Sequence, residues 1–371
     1  MKIMIAGDLL PFGRVASLFE QKRYEEVLGQ IRGSIKGADY SIVNFECPIC
    51  KGEEAPIEKL GPCHKCTDSV IGAIQYAGFN GVTLANNHFR DFGDKGCENT
   101  LRLLDANGID HVGGGMNIAE AAHVLYREIK GVKLAIINCC EHEFSIATER
   151  SAGSNPLNPI EQYYAIREAR GKADYLLVIV HGGHEGWQLP SPRMKQTYQF
   201  FIDAGADAVV NHHQHCYSGY EIYKTKPIIY GLGNFCFDEQ KFFKGLWEYG
   251  YMVEIDTEIN AIALFPYEQC KDQPIIRPID DKRAFNEQIN KLNAIIADNS
   301  RLAEETNNFY SQKKKKMTYS LQPYSNKILT SLFYRGILPS LISKKKRLFL
   351  KNMIMMESHR DIFTYYLNGS D

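Results

Sequence analysis

Two short stretches concentrate metal-ligating side chains: His181-Gly182-Gly183-His184-Glu185 and, thirty residues further on, Asn211-His212-His213-Gln214-His215. His213 and His215 stand two apart, a spacing that lets both imidazoles face one ion from a tight turn; the plain alternative is a histidine-rich surface loop. Asp8 follows Gly7, Glu46 follows Asn44-Phe45, and Asn87-His88 closes the run Ala85-Asn86-Asn87-His88. Asp8, Glu46, Asn87, His88, His181, His213 and His215 therefore offer carboxylate, amide and imidazole groups. That mixture suits a hard or borderline divalent ion such as manganese, iron or zinc.

Other residues nearby in sequence fit supporting parts. A histidine beside a ligand, as His88 is beside Asn87, can donate a proton to a leaving group or stabilise a charged transition state. Asp91, three residues on, can fix its tautomer and tilt. Glu185 either orients His181 or serves as general base, against the alternative of a solvated loop acid. Asn44, His184, His212, Asn234 and Asp238 are candidates for contacting substrate or holding ligands in place. Each has a plain alternative too: Asp8 could be a turn former or helix cap, Asn86-Asn87 a simple turn, and Gly231-Leu232-Gly233-Asn234-Phe235 a bulge and turn.

Each candidate trails a run that reads as a strand. Tyr175-Leu176-Leu177-Val178-Ile179-Val180 precedes the first histidine cluster and Ala206-Asp207-Ala208-Val209-Val210 the second, both apolar enough to be buried on two faces. Between them, Arg193 to Ala204 has helical spacing and stops at Gly205, which implies a parallel strand, helix, strand unit with a right-handed crossover. Lys2 to Ala6, Tyr40 to Val43 and Gly81 to Leu84 read as further strands ending at Asp8, Glu46 and His88. Sites in open sheets of this kind lie beyond the carboxyl ends of the strands, so the candidates fall on one rim.

Helices are expected near 14–32, 67–78, 94–107, 158–171 and 193–204, and strands near 227–232 and 249–265. The last pair, Tyr251 to Ile255 and Ala261 to Phe265, reads as an antiparallel hairpin, which makes the topology mixed. After 278 the strand signals vanish. The organisation expected is an α/β domain over 1–278 and a helical C-terminal appendage over 279–371, with helices at Asp281 to Gln312, Ser325 to Leu338 and Lys344 to Leu367.

With 371 residues and 44% hydrophobic content the chain can bury a large core, and 43 basic against 44 acidic residues give no overall case for nucleic acid as a partner. The chain opens on a strand pattern with no basic n-region or apolar h-region, and no run reaches the ~20 apolar residues of a membrane span. The expectation is a cytoplasmic protein whose ten cysteines are reduced. Cys47, Cys50, Cys63 and Cys66 form two C-x2-C pairs, the spacing of a separate structural zinc; incidental small residues are the alternative. In the tail, the basic runs Lys313–Lys316 and Lys344–Arg347 flank the apolar stretch Ile328 to Leu338. That pattern fits peripheral contact with an anionic inner-membrane face, or an ordinary packed helix with solvated lysines.

Seven phrases carry a resemblance: Gly7-Asp8, Asn44-Phe45-Glu46-Cys47-Pro48, Gly78 to His88, His181 to Glu185, Asp203-Ala204-Gly205-Ala206-Asp207, His212 to His215 and Gly231 to Phe235. In that order they resemble the CapA-type poly-gamma-glutamate capsule synthesis family over about residues 1–265. The resemblance implies a fold similar to calcineurin-like metallophosphoesterases, a four-layer αββα sandwich with mixed sheets and a two-metal centre at the strand ends. Carried over by position, Asp8, Glu46, Asn87, His181, His213 and His215 match ligands and His88 the catalytic histidine. The chain departs at two places: Leu10 stands where those enzymes have a histidine, and Glu46 where they have a bridging aspartate.

The function this resemblance implies is that of a metal-dependent hydrolase in capsule or exopolysaccharide biosynthesis. It would act on a phosphoester or gamma-glutamyl amide of an anionic polymer through a metal-bound hydroxide. The rivals are a non-catalytic polymer-binding assembly factor, which Leu10 favours, and a cytoplasmic phosphoesterase unconnected with capsule.

Overall fold

The strand Lys2–Leu9 alternates between two cores: Ile3 and Ile5 enter one, Met4 and Ala6 the other. In the computed structural model, which describes residues 1–239, 245–318, 321–324 and 326–367, this strand lies inside an eight-stranded mixed sheet. The order across that sheet is Ile276–Pro278, Ala261–Gln269, Tyr249–Asp256, Lys2–Leu9, Tyr40–Phe45, Gly81–Thr83 and Asp110–Val112, with Asn234–Cys236 pairing on Lys2–Leu9. A six-stranded mixed sheet runs Tyr220–Tyr223, Lys226–Ile229, Ala208–His212, Tyr175–His181, Val132–Cys140 and Leu125–Ile129.

The two cores define the layers. Ile3, Ile5 and Ile42 share a core with Ile137, Val178 and Val209 of the other sheet, so the sheets pack face to face. That core also takes in Ile166, Tyr198 and Phe201 from the helices Pro159–Arg170 and Pro192–Ala204. Met4, Ala6 and Val43 meet Val15, Ile31, Val70 and Leu104 from the helices Gly13–Glu20, Tyr24–Lys36, Ser69–Ala77 and Gly93–Ala106. The result is the expected four-layer αββα sandwich. One expected helix, 14–32, is two, broken at Lys22, whose positive φ of 59° makes a turn.

The crossover unit forms as the sequence implies. Tyr175–His181 and Ala208–His212 pair in parallel, with His181 beside His212 in register. Ser191 caps the intervening helix by accepting from the Met194 N–H, and Pro192 sits at its first position. The expected hairpin is antiparallel over Tyr249–Asp256 and Ala261–Gln269, but the strand Ile276–Pro278 lies outside it at the sheet edge.

The first compact unit runs from Met1 to Leu302, past the boundary expected at 278. The reason is the helix Arg283–Ala297, whose Phe285, Ile289, Leu292 and Ile296 are buried in the inter-sheet core cluster. The second unit, from Ala303 on, holds the helices Lys327–Tyr334, Lys344–Met355 and Glu357–Leu367. Ser325, the expected start of a helix, and the side chains of Lys315 and Lys316 lie outside the described residues. Among the described residues no helix is long and apolar enough to cross a membrane.

Candidate metal centre

Parallel pairing sets Asp8 beside Asn44 and Asn234 at one sheet rim, and His181 beside His212 at the other. The close approach depends on glycine: a Cβ on Gly7 would come 1.9 Å from the Gly233 carbonyl oxygen, and the Asp8 N–H donates to that same oxygen at 3.2 Å. The turn after Ala208–His212 is stressed. His213 and His215 both have positive φ, 88° and 55°, a conformation that non-glycine residues hold at a cost of order 1–3 kcal/mol each and that clusters at functional sites.

Two donor groups converge there. Glu46, His181 and His213 form one, and Asp8, Glu46 and His215 the other, with the ligand atoms of each within 4.8 Å of one another. Glu46 belongs to both. In the first group His181 Nε2 lies 3.0 Å from His213 Nδ1, 3.0 Å from Asn87 Oδ1 and 3.4 Å from Glu46 Oε1. In the second, His215 lies 3.4 Å from Asp8 Oδ2 through Nδ1 and 3.7 Å from Glu46 Oε1 through Nε2. Asn234 Oδ1 lies 2.8 Å from His215 Nδ1 while its amide donates to the His215 and Trp247 carbonyls, so the proton sits on Nδ1 and Nε2 carries a lone pair.

Glu46 is fully buried, yet neither carboxylate oxygen has a hydrogen-bond partner. Buried acceptors are normally satisfied, so an unpartnered carboxylate ringed by imidazole nitrogens fits a cation. Burial pushes the Glu46 carboxyl well above its usual range, and the Asp8 charge adds to that. Burial also pushes His181 well below the ordinary imidazole value, and burial with His215 takes His213 down to about 4. Both rings are therefore neutral, as ligation requires. Burial alone would raise Asp8, but His212, His181 and His215 outweigh it and hold that carboxyl well below the usual range.

The supporting residues divide. Asn44 donates to Asp8 Oδ1 at 2.8 Å and lies 3.3 Å from His181 Nδ1. His212 sits behind Asp8, Nδ1 3.2 Å from Oδ1 without hydrogen-bond alignment. Asp238 is clamped instead by Arg14, whose Nη2 donates to Oδ1 at 2.8 Å. Glu185 is exposed and His184 lies against Trp187; neither joins a donor group, although the Glu185 charge reaches Glu46. Leu10 is buried in the helix-side core.

His88 is held as expected, with Nδ1 2.6 Å from Asp91 Oδ2. The structure adds residues the motifs did not mark. Lys59, its side chain only 4% exposed, pairs with Asp91 Oδ1 and lies 3.2 Å from His88 Nδ1. The His64 N–H donates to Asp91 Oδ2 at 2.7 Å, and its ring stands edge-on to His88. Trp247 lies against His215, ring centroids 4.5 Å apart. The expected cysteine site does not assemble among the described residues: Cys63 Sγ points to the Ile57 carbonyl and Cys66 Sγ to that of Pro48, and the four sulfurs form no donor group.

Two facing mixed sheets between helices, with two donor groups sharing a carboxylate where the strands end, define a metallophosphoesterase-like protein. Residues 2–239 match the family described as "Bacterial capsule synthesis protein PGA_cap", and the chain belongs to that family. It is 28% identical to the capsule biosynthesis protein CapA of Bacillus anthracis over 298 residues, 77% of this chain and 72% of that protein. It is also 28% identical to the PGA biosynthesis protein CapA of Bacillus subtilis (strain 168) over 236 residues, 63% of this chain and 62% of that one, less than two thirds of its length. Among solved structures, a 5'-nucleotidase precursor from Thermus thermophilus aligns with a TM-score of 0.43 and 11% identity, over 80% of this chain and 59% of that one.

Proposed function

We propose that the protein is a metal-dependent hydrolase of capsule or exopolysaccharide biosynthesis, cleaving a phosphoester or gamma-glutamyl amide bond. The observation that carries this reading is the buried, unpartnered Glu46 carboxylate shared by two donor groups. Glu46, Asn87, His181 and His213 would hold one divalent ion, and Asp8, Glu46 and His215 the other, with manganese, iron or zinc suited to such donors. When bound, paired ions activate water and neutralise the charge that develops on the substrate.

The chain's own groups supply the rest. Asp91 accepts a hydrogen bond from His88 Nδ1–H, which fixes the ring and leaves Nε2 as the nitrogen that, when it also carries a proton, would pass that proton to a leaving group. Lys59 and the His64 N–H hold Asp91 from its other sides. Asn44 and Asn234 set the directions of Asp8 and His215. His64, Phe237 and Trp247 surround the imidazoles with rings that restrict water.

The test is turnover of bis(p-nitrophenyl) phosphate and of a gamma-glutamyl peptide by manganese-loaded protein, beside the His88→Ala variant. The reading expects turnover of one of them and a loss of about 10²–10⁴-fold in the variant with its metal retained. A second reading, a non-catalytic polymer-binding assembly factor, draws on Leu10: its burial in the core leaves the Asp8 site with three protein donors. Metal-loaded protein that turns over neither compound but binds poly-gamma-glutamate would establish that alternative.

A further inference from the structure

Between Lys313 and Met356 the chain carries eleven lysines and arginines and no aspartate or glutamate, although the whole sequence is balanced at 43 basic to 44 acidic. Apart from the buried Phe333, the same segment leaves several of its large apolar side chains uncovered. The helix Lys344–Met355 has no buried residue; its first turn is Lys344-Lys345-Lys346-Arg347, all exposed, followed directly by Leu348 and Phe349, 58% and 61% exposed. In the helix Glu357–Leu367, Ile362 and Leu367 are 67% and 64% exposed, and in Lys327–Tyr334 Ile328 is exposed as well.

Helices of a folded domain normally bury an apolar stripe, and contiguous exposed apolar surface marks a contact site. In Lys327–Tyr334 and Lys344–Met355 the apolar side chains alternate with a single sign of charge, whereas Glu357–Leu367 also carries Glu357 and Asp361. A soluble polyanion would satisfy the lysines but leaves Leu348, Phe349 and Ile362 in water. A bilayer with anionic head groups satisfies both, taking the apolar residues below the head groups and the ammonium groups among the phosphates.

We infer that the helices Lys327–Tyr334 and Lys344–Met355 dock the protein on an anionic phospholipid surface, lying in the interface and not spanning it. Ser343 helps by capping Lys344–Met355 through the Lys346 N–H at 3.2 Å, which keeps the basic first turn helical. The inference does not depend on the metal centre.

The full chain is floated with vesicles of phosphatidylcholine alone and of phosphatidylcholine with phosphatidylglycerol, at low and raised salt. Two variants accompany it, Lys344→Glu/Lys345→Glu and Leu348→Asp/Phe349→Asp, checked for unchanged thermal unfolding and metal content. Binding is expected only with phosphatidylglycerol, weakening with salt and falling at least about tenfold in either variant. Equal binding to both vesicles, no flotation, or flotation indifferent to Leu348→Asp/Phe349→Asp would overturn the inference. So would capture of soluble poly-gamma-glutamate without vesicle binding, which would identify a polymer-binding tail.

Discussion

Glu46 Oε1 lies 3.4 Å from His181 Nε2, and the carboxylate between them and His215 has no hydrogen-bond donor on either oxygen. A metal-free chain holds this arrangement only against the cost of burying a charge. Glu46→Gln keeps the shape, removes the charge, and lets the amide donate toward His181 or His215. The metal-free variant should be more stable than the metal-free native chain by on the order of 1–3 kcal/mol in urea unfolding. With manganese the order reverses, because ion binding stabilises only the native chain. A metal-free Glu46→Gln less stable than native would show that the carboxylate is already compensated.

Acid should weaken the metal-free protein in a defined window. Burial and a neighbouring imidazole take His213 and His64 down to about 4, against about 6.5 in the unfolded chain. Between those values the unfolded chain holds protons that the folded chain does not, so stability falls as pH drops from about 6.5 toward about 4. Glu46 works the other way: its raised carboxyl binds a proton in the folded state above the unfolded value, and that contribution is lost as pH rises through the raised value. Denaturation midpoints across this range should therefore fall on acidification, and fall more steeply in Glu46→Gln. A flat profile would contradict the assignment of neutral imidazoles.

Asp91 accepts from three directions: His88, Lys59 and the His64 backbone. Asp91→Ala strands the almost fully buried Lys59 ammonium and should cost about 3–5 kcal/mol in chemical denaturation. Lys59→Met removes the charge with its partner left hydrogen-bonded. Metal content should then stay unchanged while hydrolysis falls by about 10–100-fold, with partial recovery in Lys59→Arg. Loss of metal in Lys59→Met would place the lysine's role in ligand geometry instead.

The rim was legible because strands buried on both faces end abruptly. The apolar runs before Asp8, Glu46, His181 and His213 fix where each backbone stops, and parallel pairing then sets those stops side by side. Lys59 and His64 were not legible. They come from the irregular segment between Tyr40–Phe45 and Ser69–Ala77, where no periodicity says which side chain turns inward. The Arg14 clamp on Asp238 was not legible for a related reason: the two residues are distant in sequence and only the fold brings them together. The compact unit extends past 278 because amphipathicity alone does not say what the apolar stripe of Arg283–Ala297 packs on; Phe285 against Tyr217 and Tyr251 supplies the answer.

Whether one carboxylate, Glu46, serves two ions is tested most directly by elemental analysis of protein purified without a metal-affinity step, comparing the native chain, Glu46→Gln and His213→Ala/His215→Ala. The predicted result is about two equivalents of manganese, iron or zinc in the native chain, with both lost in either variant. A native chain without metal, or a Glu46→Gln variant that keeps two equivalents, would contradict it.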